Sequence, residues 1–363
     1  MENNNMTDKY WYISFCNNME IDRIISPQTP QDYLLQERAN IVADHMRYLR
    51  VYRNKAHLSP KWSFESSFIT RHYKAVLESL CFEDRYLCEK ITYGDMFSND
   101  VNGYAYKKDS WGKFICLNES LQFYMKFCNL ALLEFPYDVP QKIRLNALRI
   151  AVRVLLKQEA MDFFMDSRGS VPAKIGTIIH QPIAFELQYI ARHEFAHFLC
   201  GHLDDKNIEN KPFLSMDDKE YFQPIYNKSQ KDEFWLDIES LKRPKYKNYI
   251  YSKLFWASLL WFASLELGEA AQEFVAPSSS LQVKTHPRAE ERFKNILESV
   301  KLPPDFNDGT VKAITENVKV LKEVLLEDMS TNFELYEFYG SVYLDEPNTI
   351  WRGKELIDRV DYY

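Results

Sequence analysis

IAFELQYIARHEFAHFLC, residues 183–200, is apolar on nearly every face of a helix except at His193, Glu194 and His197. A helix apolar all round is buried, and ionisable groups held in it need partners, or a metal ion, to offset their desolvation. Pro182 marks the expected first turn, where a missing N–H costs nothing. Gly201 supplies a left-handed stop. His193 and His197 are four apart, about 40° from each other around the helix and one turn up, so both imidazoles can reach one ion. Glu194 sits about 100° from His193, near enough to act as base toward a water on that ion without being a ligand. With 8 His in 363 residues, chance would place HExxH in roughly one such chain per hundred.

A catalytic zinc takes three protein ligands and keeps a fourth position open. His202 follows in HEFAHFLCGH, but if the helix continued it would point about 140° away from His197. It reads as a cap or as a residue behind the ligands. Asp204 and Asp205 read as a solvated loop. Glu233 is the better third ligand. In DEFWLD, residues 232–237, Glu233 and Asp237 are four apart and share a helix face. Glu233 can then bind zinc while Asp237 accepts the N–H of a ligand histidine and fixes its tautomer. The plainer reading is an acidic pair on an amphipathic helix. A third block, THPRAEER at 285–292, places His286 before a helix-opening Pro287, with Arg292 a turn and a half further on. Either cation can stabilise an oxyanion formed during peptide hydrolysis; the alternative for His286 is a capping turn with a surface histidine.

HExxH, then ExxxD, then THPxxEER resembles the gluzincin metallopeptidases, in particular the CAAX-prenyl-endopeptidase type, which carries these blocks in this order. The resemblance implies zinc ligands at His193, His197 and Glu233, a general base at Glu194, an orienting carboxylate at Asp237, and His286 and Arg292 lining the site. The chain lacks that family's transmembrane helices, and Leu236 replaces the small residue usual before the aspartate. In size, and in HExxH followed by Gly-His, it is more similar to the Lit-type phage-exclusion peptidases, a group linked to cleavage of elongation factor Tu. The likeness covers roughly residues 110–300.

Composition agrees with a globular protein: 46% hydrophobic and 27% charged residues exclude wholesale disorder. Only 10 Gly against 24 Phe, 23 Tyr and 7 Trp favours a helix-rich, aromatic-packed core over a many-stranded sandwich. The net charge of −7 and the short, interrupted run at Lys242, Arg243 and Lys245 argue against nucleic acid as a partner. Six cysteines without a CxxC pair read as reduced thiols, with Cys81 and Cys88 sharing a buried helix face. The N-terminus has no signal-peptide pattern. The most apolar segment, LFWASLLWFASL at 254–265, is shorter than the ~18–20 residues needed to cross a bilayer and reads as a core helix, with an interfacial helix as the alternative. A cytoplasmic protein without a membrane span is the expectation.

Along the rest of the chain, helices are expected at 30–53, 119–134, 140–164, 229–243, 246–271 and 310–329. GYAYKKDSWGKFICLN at 103–118 reads as a hairpin. The alternation at 175–179 reads as a short strand, either in the core or at an edge where an extended substrate pairs. The expected fold is α+β, mostly helical, a zincin-type core with a small sheet and a buried HExxH helix. The division is an N-terminal region at 1–102, a metallopeptidase domain at 103–300 and a helical appendage at 301–363. The expected function is zinc-dependent hydrolysis of peptide bonds in a protein substrate, in phage defence or triggered proteolysis. Its rivals are a metal-dependent sensor with a peptidase-like fold and a non-catalytic zinc module with a closed coordination sphere.

Overall fold

A computed structural model describes residues 10–59, 61–201, 212–214, 220–222, 230–276, 287–345 and 351. It is mostly helical with a small mixed sheet. In chain order the helices are α1 (Asn18–Ile25), α2 (Pro30–Asp44), α3 (Met46–Leu58), α4 (Arg71–Ser79), α5 (Phe82–Cys88), α6 (Ser120–Leu132), α7 (Gln141–Leu155), α8 (Ala173–Leu199), α9 (Gln230–Lys242), α10 (Asn248–Val275), α11 (Ala289–Ser299), α12 (Asp308–Thr331) and α13 (Glu334–Glu337). Strands β1 (Ile91–Tyr93), β2 (Gly103–Lys108) and β3 (Gly112–Leu117) form a sheet of order β1-β3-β2. Strands β4 (Pro212–Leu214) and β5 (Glu220–Phe222) pair antiparallel.

The hairpin expected at 103–118 is β2 and β3, in register Gly103↔Leu117 to Lys108↔Gly112. Gly112 closes its turn at φ 95°, a conformation that side chains resist. β1 adds in parallel, Ile91 opposite Lys113, and so ties the segment before residue 102 into the same sheet.

Helix α8 overturns the short strand at 175–179. Ile175, Ile179, Ile183 and Leu187 recur every fourth residue and all are buried, while Thr177 is exposed. That is a helical stripe, and the apparent alternation was its first turn. Pro182 is accordingly not the first turn but lies inside the helix. A proline there removes one backbone bond and crowds the preceding turn. Asn129 of α6 reaches across this weak point, its Nδ2 donating to the Ile179 carbonyl at 3.3 Å and to Glu186 Oε2 at 3.0 Å. Tertiary hydrogen bonds thus fasten the helix on both sides of the residue where the local sequence signals a start.

Two expected helices are shorter than their apolar patterns. The one at 30–53 breaks at His45, whose backbone is extended (φ −122°, ψ 108°), giving α2 and α3. The one at 140–164 ends at Leu155, and Lys157 turns the chain at φ 62°. Ala160, Met161 and Phe163 remain buried beyond it, because two buried guanidinium groups satisfy the irregular backbone. Arg168 donates to the Ala160 carbonyl and Arg153 to that of Gln158, while Glu159 accepts from both cations at 2.6 and 2.8 Å. Cys81 precedes α5 and is half-buried, so it does not share the buried helical face of Cys88.

Around α8 pack α4, α9, α10 and one face of the sheet. Residues 254–265 lie in the middle of α10, almost wholly buried. No helix among the described residues is long and apolar enough to cross a membrane.

Candidate metal centre

The helix that was expected to be buried is buried through its whole C-terminal half. His193, Glu194 and His197 expose 7%, 3% and 5% of their surface. α9 lies against α8 and brings Glu233, 2% exposed, to the two histidines. One ligating atom from each of His193, His197 and Glu233 lies within 4.8 Å of the others. The His193 Nε2–Glu233 Oε2 distance is 3.4 Å, close to the separation of roughly 3.4 Å expected for two donors each about 2.05 Å from a tetrahedral ion. The imidazole rings stand 81° apart with centroids at 5.1 Å, so they converge instead of stacking. The three residues can hold a metal ion.

Charge points the same way. Among the described residues, three buried carboxylates (Glu194, Glu233 and Asp237) and one buried guanidinium (Arg292) lie at the histidines. Buried carboxylates are costly without cations near them. Burial disfavours a charged His193, yet the Asp237 and Glu233 carboxylates outweigh it and push its pKa up to about 10. The pocket therefore draws a cation onto this imidazole, proton or metal.

Behind the histidine, Asp237 is fully buried. His193 Nδ1 lies 3.0 Å from Asp237 Oδ1, which leaves Nε2 toward Glu233 and the centre of the triad. Arg292 of α11 grips Asp237 in bidentate fashion, Nε on Oδ2 at 2.7 Å and Nη2 on Oδ1 at 2.6 Å, and passes 3.6 Å from Glu233 Oε2. Burial would raise the Asp237 pKa, but Arg292 outweighs it and holds the carboxyl ionised. Asn295 fastens the same helix to the Phe234 carbonyl at 3.1 Å.

Glu194 faces the sheet. A Cβ built on Gly103, at the start of β2, would stand 3.2 Å from Glu194 Oε1, 3.1 Å from Ile190 Cγ2 and 2.6 Å from Leu117 Cδ2. The edge strand approaches the HExxH helix this closely only because residue 103 has no side chain.

Of the seven residues singled out from sequence, His193, His197, Glu233, Asp237 and Arg292 lie together, and Glu194 follows His193 on α8 with its carboxylate toward the sheet. The seventh, His286, lies outside the described residues, as do the rival ligands His202, Asp204 and Asp205. Two participants, Gly103 and Tyr189, were missed, as was the buried cation next to His193 on α8, Arg192. Gly103 carried no signal beyond being a glycine at a strand end. Tyr189 precedes His193 by four residues, the spacing that places both on one face, and its hydroxyl donates to Asp237 Oδ1 at 3.0 Å. Arg192, 2% exposed, has no hydrogen-bond acceptor among the described residues; it lies 4.7 Å over the Tyr246 ring, and burial lowers its pKa to about 10.

Comparison with protein families, with curated proteins and with solved structures returned no match for this chain.

Proposed function

We propose that this chain is a zinc-dependent endopeptidase. The observation that carries the reading is the buried His193–His197–Glu233 triad with Glu194 placed between its histidines in sequence and Asp237 behind His193. Two imidazoles and one carboxylate make a nitrogen and oxygen donor set suited to zinc, and three protein ligands leave a position for substrate or water. When bound, zinc would supply a water acidic near neutral pH and polarise the scissile carbonyl.

The protein's own residues do the remaining work. Glu194 takes the proton of the attacking water on its carboxylate and returns it to the departing amine, which general-base catalysis requires of a group beside but outside the ligand set. Asp237 accepts the Nδ1–H of His193, holding the tautomer that turns Nε2 toward the ion. Arg292 keeps Asp237 ionised and adds positive charge 3.6 Å from Glu233. The edge strand β2, within van der Waals reach of Glu194 at Gly103, is where an extended peptide backbone would add by strand pairing. The likeness to Lit-type peptidases makes elongation factor Tu the first substrate to assay.

Metal content and chelator sensitivity test the reading. Purified protein should carry about one zinc per chain, Glu233→Ala and His197→Ala should lose it, and His202→Ala should keep it. Peptide hydrolysis should stop with a zinc chelator and return with added zinc. Zinc-free wild type that still hydrolyses peptides would overturn the proposal, and retention of zinc by Glu233→Ala would remove Glu233 from the ligand set.

A further inference from the structure

Asp237 receives more hydrogen bonds than a carboxylate needs to orient one histidine. Its two oxygens face Arg292 Nε and Nη2, His193 Nδ1 and the Tyr189 hydroxyl. Tyr189 is 1% exposed and its ring meets Phe262 of α10 edge-on, centroids 5.9 Å apart at 83°. Arg292 lies over that same Phe262 ring at 4.9 Å. One aromatic side chain of α10 therefore packs against two of the three residues that face Asp237, Tyr189 and Arg292.

We infer that Tyr189 is a positioning residue of the metal centre, acting through Asp237 on His193. The inference rests on the reading of His193, His197 and Glu233 as metal ligands. Tyr189 and His193 leave α8 one turn apart on the same face. The hydroxyl and the imidazole therefore reach Asp237 Oδ1 from one rigid backbone, at 3.0 Å each. The last torsion of an aspartate is broad and soft. The Arg292 fork sets the carboxylate plane from the α11 side, with Nε on Oδ2 and Nη2 on Oδ1. The tyrosine O–H adds a second anchor, holding Oδ1 from the α8 side, where His193 Nδ1 meets the same oxygen. Tyr189 touches neither substrate nor metal; its effect is on the aim of Nε2. Direct hydrogen-bond partners of a ligating histidine typically change metal affinity 10–100-fold, and Tyr189, one bond further out, acts at the low end of that range.

The test is a zinc titration of the full chain against a chromophoric chelator, for wild type, Tyr189→Phe, Asp237→Asn and the double variant. Phenylalanine keeps the ring against Phe262 and removes only the oxygen. Tyr189→Phe should bind zinc on the order of 10-fold more weakly than wild type. In the Asp237→Asn background the same change should have no further effect, because the hydroxyl acts through that carboxylate. Wild-type affinity in Tyr189→Phe overturns the inference, as does an equal loss in both backgrounds. Should Asp237→Asn fail to fold, the cobalt(II) absorption of wild type and Tyr189→Phe decides: a shifted ligand-field band supports positioning, and superimposable spectra refute it. Wild type that takes up neither zinc nor cobalt contradicts the metal-centre reading itself, and this inference falls with it.

Discussion

Replacing Glu186 by glutamine should make this protein more stable at neutral pH and change how its stability depends on pH. Glu186 sits on α8 two turns before His193, with no exposed surface. Its one hydrogen bond from a described residue is the 3.0 Å donation of Asn129 Nδ2 to Oε2. Burial, only partly offset by Asn129, pushes its pKa up to about 8 from an ordinary 4.5. The raised value means that the folded state holds a proton the unfolded chain releases. Relative stability from this group is therefore fully present below about pH 4.5 and is lost as pH rises toward 8. Each unit of that interval is worth about 1.4 kcal/mol, so at pH 7 the buried carboxyl costs on the order of 3 kcal/mol against a neutral side chain. The substituted amide would keep the shape and the acceptor for Asn129 without a proton to lose. Urea unfolding of wild type and Glu186→Gln at pH 5, 6, 7 and 8 measures this, and other titrating groups cancel in the difference. The variant should gain less than about 1 kcal/mol over wild type at pH 5 and on the order of 3 kcal/mol at pH 7. Parallel stability curves across this range would refute the assignment of a protonated, buried Glu186.

Gly103→Ala should cost about 1–3 kcal/mol through overpacking against Leu117 and Ile190, and should lower turnover further by displacing Glu194. Calorimetry and peptide hydrolysis check the two parts, and a normal melting temperature with normal activity would mean that β2 does not approach α8 as described. Arg192→Met should leave stability unchanged or raise it, because a buried guanidinium without an acceptor among the described residues is costly and Tyr246 offsets only about 2 kcal/mol of that. A loss of several kcal/mol in denaturant melts would show that Arg192 has a strong partner after all.

Much of the site was legible because its spacing is helical. His193, His197, Glu233 and Asp237 each lie four residues from a partner, and the geometry of one turn is the same in every α-helix. The meeting of α8 with α9, and of both with Arg292 on α11, was reachable only through the family resemblance, since nothing local in DEFWLD says which helix it will face. Tyr189 obeyed the same four-residue rule but lay hidden among apolar neighbours, where a tyrosine reads as core. The fold was misread where tertiary contacts overrode local signals. Pro182 resembles a helix start, yet α8 runs through it, with Asn129 of another helix bonded to the turns on either side. Residues 156–164 keep an apolar pattern, but Arg153 and Arg168, distant in sequence from part of what they bind, hold that backbone out of a helix. Gly103 had no readable role, because its requirement is the closeness of a strand to a helix that the sequence does not display.

Glu194 separates hydrolysis from mere metal binding. Newly exposed N-termini should be counted in cells expressing wild type or Glu194→Gln, with the zinc content of both purified proteins established alongside. An endopeptidase predicts equal zinc, about one per chain, with cleavage products in wild type and a loss of about 10²–10⁴-fold in the variant. Equal zinc with identical sets of N-termini in the two, at equal expression and with the substrate present, would contradict the proposed function and leave a metal-binding protein that does not cleave.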